Sequence, residues 1–278
     1  MTERRDQRRD PGRDPDRDEV GRAVPTPSRR LSARSAAEVL NRQHHDATAE
    51  EILADAIRDQ YPGGIALVSS FGADAAVLLH MVSRIDRRTP VIFLETGMLF
   101  RETLSYQYRL ASALGLASVR LVRPDPEDID NDDPSGELHA ENPDACCFLR
   151  KTLPLRRALE PYDAWITGRK RAQATTRAAM PVFEAEDDTR RLKINPLADW
   201  TAARIRAYMG QHALPAHPLV ARGYPSIGCA PCTTPVAEGE DPRAGRWRGR
   251  GKTECGIHFD GTRWVRSPGA SGVVSSFP

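Results

Sequence analysis

The chain has 278 residues, of which 40% are hydrophobic and 28% charged, and its net charge is +2. That supplies apolar material for a real core, while the near-neutral balance gives no general pull toward nucleic acid, so any anionic partner must be recognised by local clusters. No apolar run approaches membrane-spanning length, and the start Met1-Thr2-Glu3-Arg4-Arg5-Asp6 lacks an apolar signal region and is too acidic for an organelle transit peptide.

A cytoplasmic setting follows from that reading, with no membrane and no nucleic-acid partner. In a reducing compartment, five cysteines point to metal or redox chemistry rather than to structural disulfides. Residues 1–33 alternate Arg and Asp with Pro and Gly and offer little to bury, so a disordered charged tail is expected. Its interspersed aspartates cancel the field that a nucleic-acid-binding arm would need.

A short helix is expected over Ser35 to Gln43. Thr48-Ala49-Glu50-Glu51 is a capping box, Ile52, Leu53, Ala56 and Ile57 follow at helical spacing, and Tyr61-Pro62-Gly63-Gly64 stops that helix. Strand–helix alternation comes next. Strands are expected at Ile65 to Ser69, Val91 to Leu94, Val119 to Val122, Ala164 to Thr167 and Arg191 to Ile194. Helices are expected at Ala75 to Ile85, Arg101 to Leu114 with Gly115 as its stop, and Thr201 to Met209 with Gly210 as its stop. Continuous apolar strands separated by helices predict an α/β fold with a single, doubly wound, mostly parallel sheet. Residues 123–144 are rich in Asp and Pro and suggest a long surface loop, and Asn142-Pro143 marks a new helix start. Beyond Gln211, Pro and Gly dominate and an irregular extension is expected.

Five constellations carry chemistry. Ser69-Ser70-Phe71-Gly72-Ala73-Asp74 joins the first strand to its helix, where free N–H groups and hydroxyls can meet an oxyanion. It lacks the Gly-Lys-Ser/Thr ending of a Walker A loop, and an ordinary turn is the plain alternative. Glu95-Thr96-Gly97 ends the second strand, on the edge where open parallel sheets bind ligands. Gly168-Arg169-Lys170-Arg171, followed by Gln173 and Arg177, follows the fourth strand on the same edge and suits a dianion better than bare solvent.

The fourth constellation is Cys146-Cys147 with Cys229-Ala230-Pro231-Cys232. Vicinal cysteines are unusual for tetrahedral zinc and suit an iron–sulfur cluster, though a zinc site, a redox pair and buried small hydrophobes remain open. The helix start beneath Cys146 and Cys147 is expected to lower their thiol pKa values, and Arg150 and Lys151 to offset cluster charge. The fifth is Cys255, between Glu254 and His258, approached by Arg243, Arg246, Arg248, Arg250 and Lys252. That basic run is expected to favour a thiolate and attract an anion, and Gly249 and Gly251 suggest a segment that closes over a ligand.

Together these residues resemble the sulfonucleotide reductase family, the assimilatory adenylyl-sulfate (APS) and phosphoadenylyl-sulfate (PAPS) reductases. Cys146-Cys147-Phe148-Leu149-Arg150-Lys151 is similar to the family's CCxxRK motif. The stretch Ile227 to Cys232 resembles its second cluster segment. Gly239 to Trp247 is similar to its arginine-bearing segment, and Glu254-Cys255-Gly256-Ile257-His258 to its signature. The turn at Ser69 and the basic residues 248–253 depart from the usual family pattern.

The resemblance implies an adenine-nucleotide α-hydrolase-like fold. Composition and the strand–helix pattern divide the chain into a 1–33 tail, a 34–210 α/β domain, which the resemblance makes nucleotide-binding, and a 211–278 extension bearing the CxxC and catalytic Cys segments. The resemblance implies Cys255 as nucleophile, with Lys151 and His258 beside it, and a 4Fe–4S cluster on Cys146, Cys147, Cys229 and Cys232. Ser69, Ser70, Phe71, Gly72, Ala73, Asp74, Glu95, Thr96, Gly97 and Gly168 would hold the nucleotide, with Arg169, Arg171, Arg243 and Arg246 on the phosphosulfate. The partners implied are adenylyl sulfate and thioredoxin or a glutaredoxin-like reductant; a homo-oligomer is compatible with the sequence. The four cluster cysteines favour APS over PAPS as substrate. A tRNA-thiolation-type enzyme lacks support because the SGGxDS loop is absent, and a non-enzymatic iron–sulfur sensor would have no use for Cys255.

Overall fold

The computed structural model describes residues 32–186, 190–252, 254 and 255. The expected tail, up to residue 31, and His258 lie outside these residues.

Helix α1 (Ala33–Gln43) begins at Ser32, whose hydroxyl accepts from the Ser35 N–H at 3.1 Å. Helix α2 (Ala49–Asp55) carries the expected capping box. Thr48 Oγ1 accepts from the Glu51 N–H at 3.2 Å, and Glu51 Oε2 accepts from the Thr48 N–H at 2.8 Å. A π-helical turn over Ala56–Gln60 prolongs α2, and Tyr61 ends it. Strand β1 (Ile65–Val68), helix α3 (Ala75–Ile85), strand β2 (Val91–Leu94), helix α4 (Arg101–Leu114) and strand β3 (Val119–Val122) follow as expected. Gly115 stops α4 in the left-handed conformation, at φ 63°, which glycine adopts without a Cβ penalty.

Residues 123–144 are not the loop their composition suggested. Helix α5 (Pro126–Asp132) is capped by Asp125, whose Oδ1 accepts from the Glu127 N–H at 3.0 Å, with Pro126 in the first turn. Helix α6 (Leu138–Glu141) follows. Polar composition masked a local N-cap–Pro start signal. Helix α7 (Pro143–Cys147) starts at Asn142, as expected, with Asn142 Oδ1 accepting from the Ala145 N–H at 3.0 Å. A π-helical turn over Phe148–Thr152 carries the chain into helix α8 (Leu153–Leu159) and strand β4 (Ala164–Ile166). Strand β5 (Phe183–Ala185), which the apolar pattern did not reveal, pairs antiparallel with strand β6 (Leu192–Ile194). Three residues at a sheet edge carry too little periodicity to read as a strand. Helix α9 (Ala202–Gln211) runs through Gly210 to a cap at His212.

The six-stranded sheet has the order β3-β2-β1-β4-β6-β5 and is parallel except for β5. Alternate residues point to opposite faces, and both faces are covered. Ile65, Leu67, Val91, Phe93, Ala164 and Ile166 join the larger core under α1, α2, α3 and α9. Ala66, Ile92, Leu94 and Trp165 pack with Leu155, Ala158 and Leu159 of α8 on the other face. This is the doubly wound, mostly parallel sheet that the strand–helix alternation predicts. The chain runs outward from β1 to β3 and then returns to β4, so strand order reverses between β1 and β4. The loops leaving those two strands part at their C-terminal ends, which is where such sheets open a ligand crevice.

Candidate active site

The Ser69–Asp74 turn leaves β1 at this crevice. Ser69 is buried and its Oγ accepts from the Phe71 N–H at 3.2 Å, whereas Ser70 is exposed. Phe71 does not present its ring to the crevice. It is fully buried, edge-on to Phe93 with ring centroids 5.1 Å apart, and only its backbone, at φ 48°, shapes the turn. Gly72 approaches the CxxC loop: a Cβ there would stand 3.4 Å from the Ile227 carbonyl oxygen. Half-buried Ala73 and Asp74 enter α3, and Asp74 pairs with Lys170 Nζ at 2.9 Å instead of capping the helix.

Glu95, Thr96 and Gly97 close β2. The Glu95 carboxylate accepts from the Gly97 N–H at 2.8 Å and from Arg123 Nε at 2.9 Å. Thr96 is buried, with Oγ1 3.4 Å from Cys229 Sγ. The Met98 carbonyl accepts from the Ala230 N–H at 2.8 Å, and Leu99 bridges Cys229 antiparallel. The CxxC loop is thereby tied to the edge of β2. Arg150 reaches the same edge, donating from Nη1 to the Thr96 carbonyl at 3.1 Å and gripping Asp133 Oδ2 at 2.6 Å. Burial disfavours the Asp133 carboxylate, but the Leu138 N–H and Arg150 outweigh it and lower its pKa.

Cys146, Cys147, Cys229 and Cys232 line one narrow cavity together with Arg150, Lys151, Met98, His139, Pro143 and Trp247. Among the described residues, no three His, Cys, Asp or Glu side chains are placed to hold a single metal ion. Burial pushes the Cys146 thiol up to about 11, with Cys229 adding to the shift. The Cys147 thiol is raised by its contact with Cys255 and then by burial, and that of Cys232 by burial and then Cys229. Cys146 and Cys147 are thus raised, against the lowering expected from the α7 start, by burial and neighbouring thiols at Cys146 and by Cys255 and burial at Cys147. At Lys151, burial opposes the ammonium, but Cys255, Cys229 and Cys147 outweigh it and hold the pKa above the usual lysine value.

Trp247 roofs the cavity. It is buried at φ 48°, a conformation costing roughly 1–2 kcal/mol for an L-residue. Its backbone N–H donates to the Cys232 carbonyl at 3.0 Å, while the indole Nε1 is buried with no hydrogen-bond partner among the described residues. Arg246 stacks on the Trp247 ring at 4.4 Å, and its Nε is buried with no hydrogen-bond partner among the described residues. Cys255 lies at the same place, with Sγ 4.0 Å from Cys147 Sγ.

The arginines divide. Arg177 and Arg243 converge on Glu254, at 2.5 and 3.6 Å. Buried Arg169 pairs with Glu184 and donates to Asn195 Oδ1 at 3.3 Å. Burial and then the Arg177 charge lower the Arg169 pKa to about 10, and burial lowers that of Arg243 while Glu254 opposes the shift. Crowded, desolvated guanidinium groups of this kind favour an anion between them. Gly168 is exposed at the end of β4. Arg171 turns elsewhere, to the Met180 carbonyl at 2.7 Å and to Asp199. The basic run before Cys255 is not an open electropositive approach: Arg248 holds Glu240, Arg250 the His139 carbonyl, and Lys252 Asp144.

Residues 64–235 match the phosphoadenosine phosphosulfate reductase domain family. The chain belongs to this family. It is 54% identical over 211 residues to the adenosine 5'-phosphosulfate reductase of Mesorhizobium japonicum, covering 76% of this chain and 82% of that protein. It is 44% identical over 224 residues to the phosphoadenosine 5'-phosphosulfate reductase of Gloeobacter violaceus, covering 80% and 92%. The crystal structure of phosphoadenylyl-sulfate (PAPS) reductase from Candida auris, a phosphate complex, superposes with a TM-score of 0.63 at 28% identity, covering 74% of this chain and 100% of that one.

The matched phosphosulfate reductase domain ends before Arg243, Arg246 and Cys255; the tertiary structure returns Cys255 to Cys147 and Arg246 to the Trp247 ring at the cysteine cavity, and Arg243 to Glu254. Sequence reasoning gave no separate role to Arg177, Lys170, Glu254 or Asp133. The first two lay in a recognised basic run and Glu254 adjoins Cys255, but only contacts between distant segments distinguish them from their neighbours. No helix among the described residues is long and apolar enough to cross a membrane.

Proposed function

We propose that this member of the phosphoadenosine phosphosulfate reductase family reduces adenosine 5'-phosphosulfate to sulfite and AMP, with Cys255 as the nucleophile and a thioredoxin-type dithiol as reductant. The observation that carries the reading is Cys255 Sγ standing 4.0 Å from Cys147 Sγ at a cavity lined by the four other thiols. Lys151 lines that cavity, Arg246 stacks on its Trp247 and Arg243 approaches Glu254 next to Cys255, cationic charge that suits a phosphosulfate. The similarity to an adenosine 5'-phosphosulfate reductase at 54% identity supports this substrate.

In the proposed reaction the Cys255 thiolate attacks the sulfate sulfur. An S–S bond forms, the S–O bond to the phosphate breaks, and AMP leaves with that electron pair, giving an S-sulfocysteine. A thiolate of the reductant then attacks Cys255 Sγ, and sulfite departs with the S–S pair. The second thiol of the reductant resolves the mixed disulfide and restores Cys255. Sulfur goes from the +6 to the +4 state, and the dithiol is oxidised to a disulfide. The arginines and Lys151 hold the negative charge that gathers on the leaving phosphate. The backbone N–H groups of the Ser69 turn and the exposed edge at Gly97 and Gly168 hold the nucleotide. A role for His258 next to Cys255 belongs to the same proposal.

Four thiols, two of them vicinal and facing one cavity with Arg150 and Lys151, fit a 4Fe–4S cluster better than a lone ion. Cys146, Cys147, Cys229 and Cys232 would hold it. Bound there, it would supply a fixed local charge and a rigid scaffold, and the thiol sequence above needs no electron from it.

Mass spectrometry after incubation with the nucleotide and no reductant tests the reading. A sulfite-sized adduct on the Cys255 peptide is expected, and Cys255→Ser should lose it while keeping the cluster's visible absorbance. An adduct on another residue, or none, sinks the assignment.

A further inference from the structure

Residues 248–252, followed by Glu254, form a strap beside the cysteine cavity held at alternate positions, with Arg250 and Lys252 reaching its lining residues His139 and Pro143. Arg248 binds Glu240 at 2.9 Å, Arg250 donates to the His139 carbonyl, and Lys252 pairs with Asp144 beside the α7 start. These three anchors place a cation of the strap on an acid or carbonyl of the body. The fourth anchor has the opposite polarity. Glu254 Oε1 accepts from Arg177 Nε at 2.7 Å, Oε2 accepts from Arg177 Nη2 at 2.5 Å, and Arg243 Nη2 approaches at 3.6 Å.

The fork–fork geometry is directional. It holds the carboxylate in one plane, and Cys255 is the next residue. Arg177 is itself rigid: its side chain is 8% exposed, and Nη1 donates to Gln173 Oε1 at 2.7 Å. A buried guanidinium without an anion is costly, so the pair holds the strap down wherever Glu254 is free to engage it.

We propose that Glu254 is the positioning residue of the nucleophile: clamped by Arg177 and approached by Arg243, its carboxylate seats Cys255 at the mouth of the cysteine cavity. The assignment rests on Cys255 being the nucleophile, as proposed above. Glu254 touches no reacting atom. It sets where the thiol stands, and the other three anchors bring the strap only as far as Lys252.

The test compares the full-length, cluster-loaded wild type with Glu254→Gln and the conservative Glu254→Asp. In the absence of nucleotide, Cys255 is alkylated with iodoacetamide and followed on its own peptide by mass spectrometry. Rates are read on the high-pH plateau, where a changed thiol pKa has no effect. Glu254→Gln should label on the order of tenfold faster, and adduct formation at saturating adenosine 5'-phosphosulfate should slow on the order of tenfold to a hundredfold, the range that a misplacement of about 1 Å costs. AMP affinity should hold, and Glu254→Asp should recover part of both rates. Unchanged labelling overturns the proposal, as does a normal adduct rate with weakened AMP binding, because Glu254 would then act on the ligand site. A wild type that forms no adduct defeats the proposed reaction instead, while the labelling contrast still decides whether Glu254 seats Cys255.

Discussion

Thr96 Oγ1 sits 3.4 Å from Cys229 Sγ, inside the protein, and also accepts from the Met98 N–H at 3.2 Å. One hydroxyl thus joins the end of β2 to the first cysteine of the CxxC loop. Thr96→Val keeps the shape and strands the Met98 N–H, which should lower stability by about 1–3 kcal/mol. Denaturant unfolding measures that loss. Under the proposed cluster assignment, the iron-to-protein ratio of the purified variant should also fall, because Cys229 is then less well held.

Asp133 and Arg150 form a buried pair beside the cysteine cavity, with the carboxylate side chain 1% exposed. Asp133→Ala leaves Arg150 charged and uncompensated, and should cost about 3–5 kcal/mol in a thermal or urea melt. The folded-state carboxylate pKa is lowered, so its contribution is present above the unfolded value near 3.8 and is lost as pH falls through the folded one. The gap between wild type and Asp133→Asn should therefore be full at neutral pH and narrow below about pH 4.

His217 is buried, and the Leu219 N–H donates to its Nδ1 at 3.2 Å. That fixes the neutral tautomer with the proton on Nε2, which donates to Thr103 Oγ1 at 3.0 Å. Burial pushes its pKa down to about 4 from 6.5. The unfolded chain therefore takes up a proton that the folded protein refuses. Stability should fall by about 3 kcal/mol as pH drops from near 7 toward 4, and His217→Gln should flatten that slope in urea melts across the window.

Gly228 lies under Arg246: a Cβ there would stand 2.3 Å from Arg246 Nη2. The clash is with the end of a side chain, so Gly228→Ala should fold and push the guanidinium aside. The expected result is a KM for the sulfonucleotide raised about tenfold, the loss of roughly 1.4 kcal/mol of binding, with a Tm close to wild type. At Gly245 the same methyl would meet the Thr234 carbonyl oxygen of the backbone at 2.1 Å, and Gly245→Ala should lower Tm instead.

Much of this protein was legible one segment at a time. Thr48 and Glu51 announced a capping box, Asn142-Pro143 a helix start and Gly115 a helix stop, because each signal acts within four residues. The five expected strands and the cysteine pairs were equally plain. The Asp- and Pro-rich stretch after β3 misled, because composition spoke louder than the Asp125-Pro126 cap it contained. The resemblance implied Phe71 and Arg171 as site residues along with their neighbours; the Phe71 side chain faces the core and that of Arg171 pairs with Asp199.

The sequence by itself determined the residue types, the order of strands and helices, and the family motifs, all of which are set by local sterics and apolar spacing. Only the tertiary structure decided which cations converge on Glu254, namely Arg177 and Arg243, and which tie the strap to Glu240 and Asp144, namely Arg248 and Lys252. It also decided that Cys255 meets Cys147 across 108 residues of chain. The physical reason is the range of the forces involved: backbone propensities are exhausted within a turn or two, whereas a contact between distant thiols exists only once the whole sheet has packed and the strap has found its anchors.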